Sequence, residues 1–205
     1  MDKNRQLLSR IVFLGIFVVA IFVIFWLGQA LSKDEEVQAE LDYEAGKATL
    51  VEYADFQCPA CGTYYPLVKQ LKAEFGDKLV VVYKHFPLQQ IHKNANLAAR
   101  ASEAALIQGK FWEMHNMIFE KQKEWSDSTQ ALALFTGYAL EVGLYKEKFL
   151  GDVGADTVYD KVNDDYQEGV RLGVRGTPTF FLNGKKIINP RGYDEFKELI
   201  ERALQ

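Results

Sequence analysis

An α/β domain split by a block of helices, with one transmembrane helix before it, is the fold class that the order of elements predicts. Three observations carry it. The chain opens with a long uncharged run, strand-like segments cluster at both ends of the remaining chain, and the stretch between them reads as helix.

The run Ile11 to Leu27 (IVFLGIFVVAIFVIFWL) contains 17 residues and no charge. At ~1.5 Å per residue it spans roughly 26 Å, close to the ~30 Å hydrocarbon core of a bilayer. Gly28 to Leu31 extends it through the interface. Lys3, Arg5 and Arg10 precede the run, and Asp34, Glu35 and Glu36 come after it. The basic flank belongs in the cytoplasm, which puts the rest of the chain outside. This predicts a cytoplasmic N-terminus over 1–10, a signal anchor over 11–31, an acidic tether over 32–45 and an outer domain over 46–205. A cleaved signal peptide is the rival reading, with Gly28-Gln29-Ala30 as its small-x-small site. The apolar run exceeds the usual h-region of about 7–15 residues.

Within the outer domain, Ala48 to Tyr53 (ATLVEY) reads as a strand. Pro59 to Phe75 reads as a helix ended by Gly76, and Pro66 should kink it by clashing with the carbonyl of Gly62. Lys78 to Lys84 (KLVVVYK) is a buried-strand pattern. From about 90 to 172 the pattern is helical. Ala98, Ala101, Ala104 and Ala105 make a small-residue stripe, and further helices cover about 110–123, 128–142 and 155–172. Strand character returns in Thr179 to Leu182 (TFFL). Asn183-Gly184 signals a hairpin with Lys186 to Ile188 as partner strand, and Tyr193 to Ala203 closes the chain as a helix.

Hydrophobic residues at 48% and charged residues at 25% describe a globular chain. A net charge of −4 without a basic stripe excludes nucleic acid as a partner.

The chain has two cysteines, Cys58 and Cys61, in DFQCPACGTYY. A bridge between them closes a tiny loop, so it adds little to stability. Chemistry is the better reason. Cys58 follows a strand and begins a helix, with Pro59 in the first turn, where its missing N–H costs nothing. The unpaired amides and partial positive charge of a helix N-terminus favour a thiolate, the reactive form of sulfur. Cys61 lies one turn on and can resolve a mixed disulfide formed at Cys58. Cys58 is therefore expected as the exposed nucleophile and Cys61 as its buried partner. Zinc usually takes four ligands, and only three histidines accompany the pair. Covalent haem requires a histidine where Gly62 stands. Glu52 sits in an apolar strand six residues before Cys58. Under the helix start, desolvation would raise its pKa and let it pass protons to and from Cys61; on the other face it would meet solvent. Gly176-Thr177-Pro178-Thr179 leads into the TFFL strand, and the Thr177–Pro178 bond reads as either cis or trans.

Together LVEYADFQCPAC, VVYKHFPL, FWEMH and RGTPTFFLNG resemble the thioredoxin-fold disulfide oxidoreductases of the DsbA type, most closely their membrane-anchored bacterial members. The resemblance covers about Gly46 to Leu204. It implies a thioredoxin fold with a helical insertion, Cys58 as nucleophile and Cys61 as resolving cysteine. It also implies a cis Thr177–Pro178 bond, in a loop that faces the cysteines and pairs with substrate backbone. Glu52 falls where the family carries a buried acid. His85 and His92 match residues frequent in these members and are given no catalytic step. Pro59 and Ala60 complete the substrate-facing surface. Strong oxidants of the family often carry histidine where this chain has Ala60, so oxidising strength stays open.

The expected function is thiol–disulfide oxidoreduction outside the cytoplasm. The pair would introduce disulfides into exported proteins, need no prosthetic group, and be reset by a membrane-embedded redox partner. A reductase or isomerase is the alternative direction. A membrane-tethered binding module or chaperone with an idle cysteine pair is the alternative class.

Overall fold

The computed structural model describes residues 47–205. The anchor and tether expected over 11–45 lie outside the described residues. Among the described residues no helix is long and apolar enough to cross a membrane.

The described elements are β1 (Ala48–Ala54), α1 (Pro59–Phe75), a 3-10 turn (Gly76–Lys78), β2 (Leu79–His85), α2 (Ala95–Leu106), α3 (Phe111–Glu120), α4 (Gln122–Trp125), α5 (Ala131–Glu141), α6 (Lys146–Val153), α7 (Asp156–Arg171), β3 (Thr179–Leu182), β4 (Lys185–Lys186) and α8 (Tyr193–Ala203). The sheet order is β2-β1-β3-β4. β1 runs parallel to β2 and antiparallel to β3. A strand–helix–strand unit supplies one half of the sheet, a hairpin and closing helix supply the other, and helices α2–α7 are inserted between them.

Every residue of β1 is buried. Alternation along the strand puts Ala48, Leu50, Glu52 and Ala54 on one face. On that face Ala48 and Leu50 pack with Val68 and Leu71 of α1 and with Phe196 and Ile200 of α8. The register therefore settles the side on which Glu52 lies: it points beneath α1. On the other face, Tyr53 donates a hydrogen bond to Glu168 of α7. Lys84 of β2 joins this polar patch, with its Nζ 2.7 Å from Glu168 and 3.4 Å from Asp165.

A second apolar cluster joins the β1–α1 corner to the insertion. Ala54, Phe56, Cys61 and Tyr83 meet Ala98, Ala101, Ala104, Ala105, Met114, Ile118 and Trp125. The alanine stripe of α2 is wholly buried. It allows the helices to approach closely, and burial of each large side chain contributes roughly 1.5–3 kcal/mol.

Several expected boundaries move. Pro66 lies inside α1, which continues as one element to Phe75. The helix expected over 110–123 is two, α3 and α4. Helix α6 has no counterpart among the expected helices: only Phe149 and Val153 of its eight residues are buried, too few to show a periodic stripe. The partner strand is Lys185–Lys186 rather than 186–188, with both residues exposed; Ile188 is 92% exposed. In α3, Trp112 is half-exposed, whereas Met114 and His115 are buried.

Two glycines separate packing from helix propensity. A Cβ at Gly169 of α7 would lie 2.7 Å from Phe86 Cδ2 and 2.9 Å from Tyr53 Cδ1, both on buried rings; a Cβ at Gly137 of α5 would meet nothing within 4 Å. Replacing glycine by alanine in a helix gains up to ~1 kcal/mol, and overpacking costs ~1–3 kcal/mol. Gly137→Ala is expected to raise the urea midpoint and Gly169→Ala to lower it. A raised midpoint in both would show that α7 can move off β1 freely.

Candidate active site

The turn from β1 into α1 is built by Asp55. Its Oδ1 accepts from Gln57 N at 2.7 Å, and its backbone carbonyl accepts from Cys58 N at 3.0 Å. Its Oδ2 accepts from Leu88 N at 2.9 Å and lies 2.6 Å from His92 Nδ1. The side chain is almost fully buried, and these contacts satisfy both oxygens. Cys58 is the N-cap of α1, with Pro59 in the first turn as expected.

The insertion holds the same turn from the other side. Gln122 Nε2 donates to Phe56 O at 2.7 Å and to Cys58 O at 2.9 Å. Gln57 Nε2 donates to Ser126 O at 2.8 Å, while Gln57 Oε1 accepts from Asn94 N at 2.8 Å. Gly62 leaves room for this clamp: a Cβ on it would lie 2.7 Å from Gln122 Oε1 and the amide would have to shift.

Both cysteines are free thiols. Cys58 is 8% exposed and Cys61 0%. Cys58 is therefore less open than expected, though it remains the outer sulfur. Pro59 and Ala60 are exposed beside it. The two thiols are electrostatically opposite. The Cys58 pKa is lowered to about 5, first by a hydrogen bond from Cys61, with further donation from Thr177 and from the backbone amides of Cys61 and Ala60 outweighing partial burial. Cys61 is raised well above the ordinary thiol range, mainly by burial, then by its hydrogen bond to Cys58 and the charges of Glu52 and Cys58. The Asp55 backbone N–H, 3.5 Å from Cys61 Sγ, partly offsets this.

The Thr177–Pro178 bond is cis. Thr177 meets the cysteines: Cys58 Sγ lies 3.4 Å from Thr177 O. The Thr177 hydroxyl has no partner apart from Cys58. Pro178 is buried, and its carbonyl accepts from Asn189 Nδ2 at 2.8 Å. Glu52 is 4% exposed, and burial raises its pKa to about 8. Its Oε1 has no hydrogen-bond partner. The structure thus gathers Cys58, Cys61, Glu52, Thr177, Pro178, Pro59 and Ala60 around one turn.

Sequence reading misses Asp55, Gln122 and Tyr83. Tyr83 pairs with Glu52 across β1–β2, is buried, and is electrostatically coupled to Cys61 and Glu52. Asp55, two residues before the amide it binds, is detectable as a turn-former. Gln122 leaves no local signal. His92 holds Asp55, and His85 bonds Glu103 of α2 at 2.8 Å. Among the described residues no three His, Cys, Asp or Glu side chains are grouped as metal ligands would be.

Comparison with known proteins agrees with this geometry. A thioredoxin family model matches residues 43–202. BdbD from Bacillus subtilis superposes with a TM-score of 0.69 at 26% identity, covering 80% of this chain and 90% of that one. The fold is also that of alpha-DsbA1 from Wolbachia pipientis, with a TM-score of 0.69 at 20% identity over 80% of this chain and 88% of that one. A Na(+)/H(+) antiporter, NhaA 1 of Mycolicibacterium gilvum, is 38% identical over 92% of this chain but only 33% of its own length. The chain spans about a third of the length of such curated relatives. With the family match over most of its length, the chain belongs to the thioredoxin family.

Proposed function

We propose that this protein donates disulfides to exported proteins outside the cytoplasm, through Cys58 and Cys61. The observation that carries the direction is the low pKa of Cys58, about 5. A stabilised thiolate favours the reduced enzyme, so the oxidised enzyme gives its disulfide away.

In the oxidised enzyme a substrate thiolate attacks Cys58 Sγ. The Cys58–Cys61 bond breaks and its electron pair leaves on Cys61. Glu52, protonated below about pH 8, supplies the proton that Cys61 requires. A second substrate thiolate then attacks the substrate sulfur of the mixed disulfide, and Cys58 leaves as a stable thiolate. The substrate gains a disulfide and the enzyme becomes a dithiol. Pro59 and Ala60 form the exposed side of the cleft. Thr177, with Pro178 behind it, faces Cys58 and offers backbone to an extended substrate. A membrane-embedded redox partner would reoxidise the pair, and an N-terminal anchor over 11–31 would keep the two close.

The pKa sets an expected potential. At pH 7, a drop from about 7, as in thioredoxin, to about 5 stabilises the reduced form by ~2–3 kcal/mol, or roughly 50 mV. The pair should sit near −220 mV, above thioredoxin at about −270 mV and below DsbA at about −120 mV. Equilibration with glutathione measures it; a value at or below about −270 mV would make the enzyme a reductase. Thiolate absorbance in the far ultraviolet should titrate with a midpoint near 5 and vanish in Cys58→Ser. That variant should lose all oxidase activity, whereas an idle pair on a chaperone would leave client binding intact. Cys61→Ser should accumulate mixed disulfides, seen as high-mass species on non-reducing gels.

Glu52 and Cys58 act oppositely on the stability of the reduced chain. The thiolate of Cys58 stabilises the fold at high pH, and that contribution is lost as pH falls through about 5. Glu52 binds its proton more tightly when folded, so its burial costs progressively more as pH rises from the ordinary carboxylate range towards 8. Glu52→Gln should therefore gain stability over wild type between about pH 5 and pH 8, by on the order of a few kcal/mol at the upper end. It should also slow release of Cys61 about tenfold or more. Urea midpoints at several pH values and stopped-flow reduction check these; parallel midpoint profiles would place Glu52 in contact with solvent.

A further inference from the structure

A cavity of about 420 Å³ lies between α1, the outer edge of β2 and α3. Its walls include four aromatic side chains, Tyr65, Tyr83, Trp112 and Phe119, with Val68 and Val81 between them. Glu52 and Tyr83 also line it. Each carries a buried polar atom without a partner, Glu52 Oε1 and Tyr83 Oη. Two such atoms in one apolar cavity are unusual, because buried polar groups are almost always hydrogen-bonded.

We propose that this cavity is a binding site for a small neutral aromatic molecule bearing a hydroxyl group, with its ring against Trp112 and the stacked Tyr65–Phe119 pair and its hydroxyl against Glu52 and Tyr83. The volume is in the range of small-molecule sites, and mostly apolar walls with a few convergent polar groups are their usual composition. Trp112, 45% exposed, gives such a ring a face to cover.

The charge around the cavity selects a neutral ligand. Three lysines, Lys47, Lys69 and Lys72, line it beside Asp77, which disfavours an organic cation. Lys69 is held by Glu120 at 2.8 Å and by Tyr65 at 3.1 Å. Lys72 is held by the carbonyls of Gly76 and Leu79, each at 2.8 Å. An anion would have to displace those contacts. At neutral pH the Glu52 carboxyl holds its proton, so it can donate to a hydroxyl oxygen while its Oε1 accepts the hydroxyl hydrogen. His115, pushed down to about 4 by burial, adds no charge.

Occupancy would reach the redox pair through Glu52, a consequence that rests on the proton-carrying role given to that residue above. A hydroxyl bonded to Glu52 changes how readily its proton passes to Cys61, and by linkage the protonation of Glu52 changes the affinity for the ligand.

The test is a titration of the full, ¹⁵N-labelled reduced chain with 2-naphthol, followed by amide chemical shifts. Saturable shifts are expected at Val81, Tyr83, Trp112 and Phe119. Naphthalene, which lacks the hydroxyl, should bind at least tenfold more weakly, and Glu52→Leu should weaken 2-naphthol binding by a similar factor. Val81→Phe, which fills the cavity, should abolish the shifts and leave the reactivity of Cys58 unchanged, so the result does not depend on the folding of one variant. Cys58→Ser should bind as wild type does, which separates binding from the redox reading. Non-saturating shifts, equal affinity for naphthalene, or binding insensitive to both cavity variants would overturn the proposal and leave the cavity to water.

Discussion

Gln122 reaches out of the insertion and holds two carbonyl oxygens of the redox turn, those of Phe56 and Cys58. Much of the site depends on that clamp. The turn is buried, so each of its backbone groups needs a partner, and an unmet one costs about 1–3 kcal/mol. The sheet cannot provide these partners, because the chain has already left β1. Asp55 supplies some of them from within the turn and Gln122 supplies others from the insertion, while Asn94 and Ser126 hold the side-chain amide of Gln57. The helices between β2 and β3 therefore hold the catalytic backbone in place. Gly62, which in the sequence only argues against haem, has a positive reason to be there: its missing Cβ lets Gln122 approach.

The electrostatic asymmetry of the cysteines follows from this held geometry. One turn of α1 separates two sulfurs of opposite character. Cys58 sits where the Cys61 thiol, then the Thr177 hydroxyl and two backbone amides, donate to it, and Cys61 sits where burial, its bond to Cys58 and the Glu52 carboxyl disfavour charge. A wholly buried acid such as Glu52 is costly. It is tolerated because neutralisation by a proton is the cheaper state, and in the proposed mechanism that proton is what the departing Cys61 sulfur needs. The cost to the fold and the use in the chemistry share one cause.

Much of this is legible in the sequence because it is written locally. The cysteine spacing, the proline at the helix start and the run of β2 residues each occupy one short window. The closing helix Tyr193–Ala203 has the strongest apolar stripe, and its limits match the sequence expectation to the residue. Helix α6 escapes sequence reading because its window, KEKFLGDV, offers only two core residues. β4 starts one residue and ends two residues before its expected limits because its two lysines both face solvent and carry no alternation. Glu52 cannot be oriented from its neighbours alone; β1 is buried on both faces, and only the position of α1 decides which side matters. The contact of Gln122 with Cys58 spans 64 residues, and no window shows it.

Thr177 stands 119 residues after Cys58, and that distance has a meaning for synthesis. A chain made from its N-terminus emerges with the cysteine pair long before the Gly176–Thr179 loop and before the insertion that clamps the turn. Until those parts arrive, Cys58 lacks part of what stabilises its thiolate, and its sulfur is closer to an ordinary thiol. The low pKa of Cys58 is thus a property of the completed fold and not of the C-P-A-C segment alone.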